Sequence, residues 1–255
     1  MSYLYATFIY NPLYNGFVLL VNAVHGLSWI DMGIVVVIFT IIVRLILFPI
    51  SKKAARTQVL MRLVEPELAV IKEKYKDDKQ AQATKTMALY KEKKINPFSS
   101  ILLLLIQLPI LLAIYRIFYS SSLSTVPAHV LYSFVAAPAT ISPFFLGLFD
   151  VTKKSFFLAL IAAVSQFLQI NLATPKTRRD SEGRMTQESM MHMMMKLTMP
   201  VMILLVAWNV ASALAIYWAT SNLFMVGQEL YIRRQIAKES INGGTKPTIV
   251  EATKA

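Results

Sequence analysis

The stretch VVVIFTIIVRLILFPISKK, residues 35–53, decides the fold class because it is apolar over the length of a membrane span. A hydrocarbon core of about 30 Å is crossed by a helix of about 20 apolar residues. The one charge in this stretch before Lys52 is Arg44, whose guanidinium stays protonated in proteins. The stretch therefore predicts a transmembrane helix with a permanent positive charge in its interior.

The composition of the whole chain is typical of a membrane protein. Of its 255 residues 56% are hydrophobic, and the mean hydropathy is +0.53, which is too apolar for an ordinary soluble domain. Charged residues make up only 16%, yet the net charge is +12, so the basic groups are concentrated in particular segments. Cysteine is absent, which excludes disulfides, thiol chemistry and a cysteine-based metal site or lipid anchor.

Further apolar runs predict an all-α polytopic membrane protein with five transmembrane helices. The last run, Leu197 to Ile232, would form a straight helix of about 54 Å. Because that is too long for one span, we divide it into two spans with a turn near residues 208–212. The predicted segments are an outer interfacial amphipathic helix (1–31), spans over 32–53, 97–120, 155–173, 197–210 and 211–234, a cytoplasmic helical hairpin (54–96), an outer loop (121–154), a cytoplasmic loop (174–196) and a disordered cytoplasmic tail (235–255).

The distribution of basic residues predicts the topology. Residues 52–94 carry twelve Lys and Arg, residues 174–196 carry five, and the tail after Ile232 carries five, whereas the first 31 residues carry none. Because basic loops stay in the cytoplasm, we expect the N-terminus outside and the C-terminus in the cytoplasm. We interpret the N-terminal helix as lying on the outer surface, with a sixth span as the alternative, and we expect no cleaved signal peptide.

The cytoplasmic segment 54–96 is predicted to be a helical hairpin because apolar residues recur in it at helical spacing. Pro66 is expected to kink or break its first arm, since proline cannot donate a helical hydrogen bond. The Asp77-Asp78 pair is expected to cap its second arm.

Polar residues from four spans are predicted to lie near the depth of Arg44. Arg44 lies about 12 Å inside the cytoplasmic boundary at Lys52, and Gln107 lies about 13 Å inside its own span. The other polar residues in the inner halves or near the midplane are Gln166, Gln169, Thr220, Ser221 and Asn222. We therefore predict a hydrated cavity that opens to the cytoplasm and to lipid but is closed towards the outside.

These polar residues also have simpler interpretations. Snorkelling of Arg44 to the headgroups would need a reach of about 12 Å, which is longer than an arginine side chain. An internal ion pair has Glu229 as its one candidate, since the first four spans contain no Asp or Glu. The glutamines have the alternative role of hydrogen bonding between packed helices.

The sequence offers no set of catalytic residues. It lacks the H-E-x-x-H, P-loop and G-x-S-x-G motifs, and its three histidines lie outside the predicted spans. We therefore expect no enzyme activity, no catalytic residue, no metal and no cofactor. No DNA partner is expected either, although the basic loops suit ribosomal RNA or anionic lipid. A small solute channel or transporter and a lipid-moving membrane protein remain alternatives.

Several sequence blocks in one order resemble the YidC/Oxa/Alb family of membrane-protein insertases, over roughly Asp31 to Arg234. These blocks are IIVRLILFPISKKA (41–54), MALYKEKKINPF (87–98), LLLLIQLPILLAIYRIF (102–118), FDVTKKSFFLALIAAVSQFLQ (149–169), MKLTMPVMI (195–203) and LAIYWATSNLF (214–224). The chain departs from the family pattern in NPFSS, where Asn-Pro-Leu-Gly-Gly is usual, and in WNVASALAIYW, which lacks the usual turn before the aromatic pair.

The resemblance implies a compact bacterial insertase of the plasma (inner) membrane. Such a protein would insert and help fold nascent membrane proteins without nucleotide, through a positively charged groove open to cytoplasm and lipid. The implied partners are nascent membrane proteins, membrane lipid, the ribosome and the Sec translocon. The residues that match the family's groove positions are Arg44, Gln107 and Gln169, and those that match its substrate-contacting aromatic pair are Tyr217 and Trp218.

Overall fold

The computed structural model describes residues 3–119, 130–174 and 187–242, and most of these residues are helical. The elements in chain order are α1 (Tyr3–Tyr5), a π-helical segment (Ala6–Tyr10), α2 (Asn11–Val24), α3 (Met32–Ile46), α4 (Phe48–Leu63), α5 (Glu65–Lys74), α6 (Lys79–Glu92), α7 (Phe98–Tyr119), β1 (Phe144–Phe145), β2 (Phe149–Asp150), α8 (Phe156–Ala173), α9 (Gln187–Asn209) and α10 (Ser212–Asn242).

The lengths and compositions of these helices are those of a helical membrane protein. Within the described part of the chain, three segments are long and apolar enough to cross a bilayer, namely Tyr3–Val24, Phe156–Ala173 and Ser189–Asn209. The interrupted pair α3 and α4 makes a fourth if it is counted as one span. The helical membrane fold is thus confirmed, whereas the number of five spans and the interfacial position of the N-terminal helix stay predictions.

Two predicted boundaries differ in the structure. The predicted span 32–53 is interrupted at Leu47, because Pro49 in the first turn of α4 has no N–H to continue the hydrogen bonding of α3. The predicted loop 174–196 is helical from Gln187, where α9 begins, because a run of methionines continues its apolar pattern. Between α9 and α10 the chain turns at residues 210–211.

The prediction of a disordered tail over 235–255 is wrong for its first eight residues. Helix α10 continues to Asn242, so residues 235–242 are helical, while residues 243–255 of the predicted tail lie outside the described part of the chain. The extension is stabilised by burial of Ile236 against Val59, and Glu239 within it forms an exposed ion pair with Arg56. These contacts involve residues that are far apart in sequence, so local composition did not reveal them.

The chain divides into two compact units. The first contains Met1–Ile46, Leu105–Asn171 and Lys176–Met225, and the second contains Leu47–Leu104, Leu172–Pro175 and Val226–Ala255. In the first unit, the buried ring of Phe17 meets the rings of Phe39 and Phe118 edge-on, with centroid separations of 5.3 Å in both pairs. These contacts join α2, α3 and α7 through aromatic packing.

Two asparagines on α2 hold the segment that precedes the β-hairpin. Asn15 donates to the carbonyl of Val130 at 2.9 Å and accepts from the amide of Tyr132 at 2.8 Å. Asn22, two helical turns later, donates to the carbonyl of Ala136 and accepts from the amide of Ala139 at 2.7 Å. Each side-chain amide therefore satisfies a backbone donor and a backbone acceptor of the segment before the β-hairpin.

The β-hairpin packs directly on the start of α3. Strands β1 and β2 are antiparallel, with Phe145 opposite Phe149. The ring of Phe145 lies so close to Gly33 that an added Cβ would overlap it. Glycine at position 33 is therefore required by a close approach between α3 and the hairpin.

We expect Gly33→Ala to destabilise the protein by about 1–3 kcal/mol, since the methyl group would have to displace the Phe145 ring. The matched control is Gly227→Ala in α10, where no atom lies within 4 Å of the new Cβ. That change should stabilise the helix by about 0.5–1 kcal/mol. Thermal unfolding in detergent measures both. In a Phe145→Gly background, which removes the three nearest atoms that the new Cβ would meet, the penalty of Gly33→Ala should largely disappear, and its persistence there would contradict this explanation.

The second unit contains the predicted cytoplasmic hairpin. Helix α4 ends at Leu63 and α5 begins at Glu65, with Pro66 in its first turn, which confirms the predicted break. Asp78 accepts hydrogen bonds from the amides of Gln80 and Ala81, so the predicted cap of the second arm is also confirmed. A small apolar core holds the two arms together, formed by Val64, Leu68, Leu89 and Ile95.

Candidate functional site

Arg44 lies near the end of α3, in the first unit, and is buried. Only 5% of its surface is exposed. Among the residues that the structure describes, none forms an ion pair with its guanidinium or accepts a hydrogen bond from it. The titratable group with which it interacts electrostatically is the Tyr217 phenol. Arg44 is therefore a buried cation without a fixed anionic partner in the described structure.

Gln107 and Tyr217 form a direct contact in this region. The Gln107 amide on α7 donates a hydrogen bond to the Tyr217 hydroxyl on α10 at 2.6 Å. Tyr217 is almost fully buried, whereas Gln107 is half-buried. The structure thus brings two of the predicted site residues, Gln107 and Tyr217, into direct contact, and the Tyr217 phenol lies within electrostatic range of the third, Arg44.

The polar residues Ser221 and Asn222 are enclosed between helices. Asn222 on α10 donates to the Ser165 hydroxyl on α8 at 3.0 Å, and Ser165 in turn donates to the carbonyl of Ala162. Within the described part of the chain, the buried Ser221 hydroxyl has no hydrogen-bond partner. A hydrogen bond between asparagine and serine is typical of polar residues that join packed membrane helices.

Gln169, Thr220 and Trp218 keep partial exposure. The Gln169 carbonyl oxygen accepts a hydrogen bond from the Gln166 amide at 3.3 Å, so the two glutamines pair along one face of α8. Thr220 lines a cavity, as described next. The structure does not join Gln169 or Trp218 to Arg44 by any hydrogen bond within the described residues.

A cavity of about 430 Å³ lies between α3, α8, α10 and the β-hairpin. Thr220 contributes its one polar side chain, and the other lining residues are Val37, Ile41, Phe145, Leu158, Ile161, Ala215, Ile216, Ala219, Leu223 and Phe224. Arg44 and Gln107 are not among them. This apolar cavity is therefore distinct from the hydrated cavity predicted around Arg44.

Glu229, the one candidate partner for Arg44 in the sequence, is engaged elsewhere. In the second unit its carboxylate pairs with Arg62 on α4 and with Arg233 at 2.9 Å. Both arginines also donate to the carbonyl of Leu172, in the last turn of α8. Because that turn carries the negative end of the helix dipole, two cations and one carboxylate form a locally compensated cluster.

A second ion pair in this unit is exposed. Arg56 donates to both carboxylate oxygens of Glu239. The hydrogen bond from Arg56 lowers the pKa of the Glu239 carboxyl, which is therefore ionised at neutral pH. A pair at this exposure contributes little to stability because water and salt screen it.

Sequence reasoning missed the partners Ser165, Arg62 and Arg233. Ser165 lies four residues before Gln169, and a serine at that spacing in an apolar helix is a weak signal of a polar helix face. Arg62 belongs to the predicted cytoplasmic hairpin and Arg233 to the end of the last predicted span, and both were used only as basic residues that indicate the topology. Among the described residues, no group of three His, Asp or Glu side chains could hold a metal ion.

Comparison with known proteins gives consistent matches. The family model described as 60Kd inner membrane protein matches residues 23–239. A protein of Clostridium tetani named membrane protein insertase YidC is 32% identical over 210 residues, which cover 82% of this chain and 85% of that relative. A protein of the same name from Clostridium acetobutylicum is 30% identical over 207 residues, covering 78% and 72% of the two chains.

The relatives differ in length. The insertase YidC of Syntrophus aciditrophicus is 31% identical over 227 residues, which cover 88% of this chain but 36% of that relative. The chain therefore spans most of the short relatives and about a third of the long one. Because the family model covers most of the chain and relatives at 30% identity or more span it, this chain belongs to the 60Kd inner membrane protein family, which confirms its resemblance to the YidC/Oxa/Alb insertases.

Proposed function

We propose that this protein is a membrane-protein insertase that inserts nascent membrane proteins and helps them fold. Its proposed site is a hydrophilic, positively charged groove around Arg44 that is open to the cytoplasm and to lipid. One observation carries this proposal, namely that Arg44 is buried without an anionic partner among the described residues. The insertase names of the relatives support the same function.

The free-energy cost of burying an arginine explains why Arg44 would bind a client segment. Placing arginine at the centre of a membrane helix costs about 3 kcal/mol on insertion scales. Water in the groove lowers this cost, and an acidic or polar client segment lowers it further by supplying hydrogen-bond acceptors. Gln107 and Tyr217 add polar groups beside the cation that reduce the desolvation cost of the client segment.

Insertion in this proposal needs no nucleotide, because the client supplies the driving force. Each Leu or Ile of a client helix that enters lipid contributes about −0.5 kcal/mol. The membrane potential adds about 2.3 kcal/mol per 100 mV for each negative charge that moves outward. A short hydrophilic tail attached to an apolar helix can therefore be moved across without coupling to hydrolysis.

The proposed setting is the bacterial plasma (inner) membrane, with the N-terminus outside and the C-terminus in the cytoplasm. The basic segments 52–94 and 174–196 support this orientation. The proposed partners are nascent membrane proteins and membrane lipid, together with the ribosome and the Sec translocon. Within this proposal, Gln169 and Thr220 line the groove beside Arg44, and Tyr217 and Trp218 contact the client.

Photocrosslinking from Gln107 tests the proposal. A photoreactive amino acid at Gln107 should form an adduct with a ribosome-bound nascent chain that carries a single span. The matched control is Leu108, the next residue on α7, which is exposed and faces a different direction. We expect several-fold more adduct from position 107, because consecutive helical residues point about 100° apart. Equal adduct yields, or ion conductance in liposomes without crosslinks, would contradict an insertase groove.

A further inference from the structure

The tip of the β-hairpin exposes large apolar side chains. Leu146 and Leu148 are 61% and 74% exposed, and Phe144 beside them is 38% exposed. The tip lies at the end of the first unit where α3 and α8 begin, since Asp31, Gly33 and Phe157 all contact the hairpin. An exposed apolar cluster on a short hairpin needs a physical reason, because in water it would promote aggregation.

The backbone conformation of the turn makes a leucine at position 146 unexpected. The amide of Leu148 donates to the carbonyl of Phe145 at 3.0 Å, which closes a β-turn. Its central residues, Leu146 and Gly147, have φ values of 54° and 70°. A turn with two positive φ angles favours Asn-Gly, and leucine is a poor residue for its first central position. The leucine therefore costs stability in the turn, while 61% of its surface stays exposed.

The tip is held in a defined orientation. The Asp31 carboxylate caps α3 by accepting from the amide of Ile34 at 3.0 Å, and it also accepts from the amide of Gly147 at 3.3 Å. On the other side of the hairpin, the ring of Phe149 stacks on Phe157 with a centroid separation of 5.4 Å. The exposed leucines are thus presented by a rigidly mounted turn.

The surroundings of the tip match the boundary of a bilayer. Phe156 on α8 is half-exposed and packs edge-on against Trp208, as in the aromatic belts of membrane proteins. Lys153 and Lys154 follow the hairpin directly and are both exposed; Lys153 pairs with Asp150 at 3.1 Å, and Lys154 forms no ion pair among the described residues. An apolar tip next to aromatic residues and two exposed lysines is complementary to acyl chains beneath anionic headgroups.

We propose that this hairpin tip inserts into the bilayer leaflet at its end of the molecule, with Leu146 and Leu148 among the acyl chains and Lys153 and Lys154 at anionic headgroups. By the predicted topology this is the outer leaflet. The partner is therefore an anionic phospholipid surface, which is separate from the client groove around Arg44. The insertion anchors the hairpin, and with it the start of α3, relative to the membrane.

Site-directed labelling tests this proposal. Because the protein has no native cysteine, an introduced cysteine is the only labelled site. Leu148→Cys carries an environment-sensitive fluorophore in nanodiscs of phosphatidylethanolamine and phosphatidylglycerol. Lys154→Cys, labelled in the same way, is the shallow control. We expect quenching by doxyl-labelled lipid to be about threefold stronger at position 148, since interfacial apolar groups reach about 5–10 Å below the headgroups. A water-soluble quencher should show the opposite order.

A second variant separates lipid insertion from a structural role. Leu146→Asn suits the positive φ angle of the turn, so the hairpin should fold at least as well. In this background we expect lipid quenching at position 148 to fall by at least about half, because the labelled tip then keeps neither of its two leucines. Unchanged quenching would overturn the proposal. The proposal would also be overturned if the aqueous quencher reached positions 148 and 154 equally. It would likewise be overturned if position 148 were protected only at a high protein-to-lipid ratio.

Discussion

Replacing Arg44 with leucine is expected to slow insertion of an acidic-tailed single-span client by roughly 10- to 100-fold while making the protein more stable. The loss follows because a charge-assisted hydrogen bond to the client contributes about 1.5–3 kcal/mol, which corresponds to roughly a 10- to 100-fold lower rate of insertion. The gain in stability follows because the substitution removes a buried charge without a fixed partner, worth up to about 3 kcal/mol. Reconstituted insertion and thermal unfolding measure the two effects separately.

Two further variants sharpen the test of Arg44. Arg44→Lys keeps the positive charge and should retain much of the activity, although it loses the planar array of donors. Arg234→Ala, at an exposed position of α10, also removes one positive charge and should leave insertion unchanged. If Arg44→Leu inserted acidic-tailed clients at the native rate, the electrostatic role of this residue would be refuted. A fall in stability together with activity would instead identify Arg44 as a structural residue.

Replacing Glu229 with glutamine is expected to be among the most destabilising single changes in the second unit. The substitution leaves Arg62 and Arg233 close together, both bound to the carbonyl of Leu172, with no carboxylate to balance their charge. Removing one partner of a buried ion pair typically costs about 3–5 kcal/mol. Because Arg233 is partly exposed, we expect a value at the lower end, measured as a lower unfolding temperature.

The control for Glu229 is Glu239→Gln, which removes the partner of Arg56 at an exposed site. Its unfolding temperature should change little, since exposed ion pairs are screened. Adding Arg62→Gln to Glu229→Gln should restore part of the lost stability, because the two substitutions act on one cluster and their effects are not additive. Equal unfolding temperatures for Glu229→Gln and Glu239→Gln would show that burial does not strengthen the first pair.

Most features of the fold that could be predicted depend on sequence signals that act between neighbouring residues. The apolar runs, Pro66 and the Asp78 cap each act through nearby residues, so the membrane class, most of the helices and the arms of the hairpin followed from them. The depth of Arg44 and Gln107 along their helices also followed from counting residues at a constant rise. The predicted groove around them remains a proposal.

The contacts between helices could not be predicted from such local signals. Helix α10 is apolar on several faces, so its sequence did not indicate which way Tyr217, Ser221 and Asn222 would point. Depth alone therefore grouped Asn222 with the groove residues, whereas the structure encloses it against Ser165. The extension of α10 to residue 242 depends likewise on Val59, a residue of a distant segment.

The sequence by itself determined that this chain is a helical membrane protein with a cation inside an apolar span, because hydropathy and charge act over a single helix. It also identified Glu229 as the one acidic candidate to neutralise that cation. Only the tertiary structure decided that Glu229 pairs with Arg62 and Arg233 and that Tyr217 meets Gln107. The physical reason is that a partner is chosen by the rotation and packing of helices, and these depend on contacts between residues far apart in the chain.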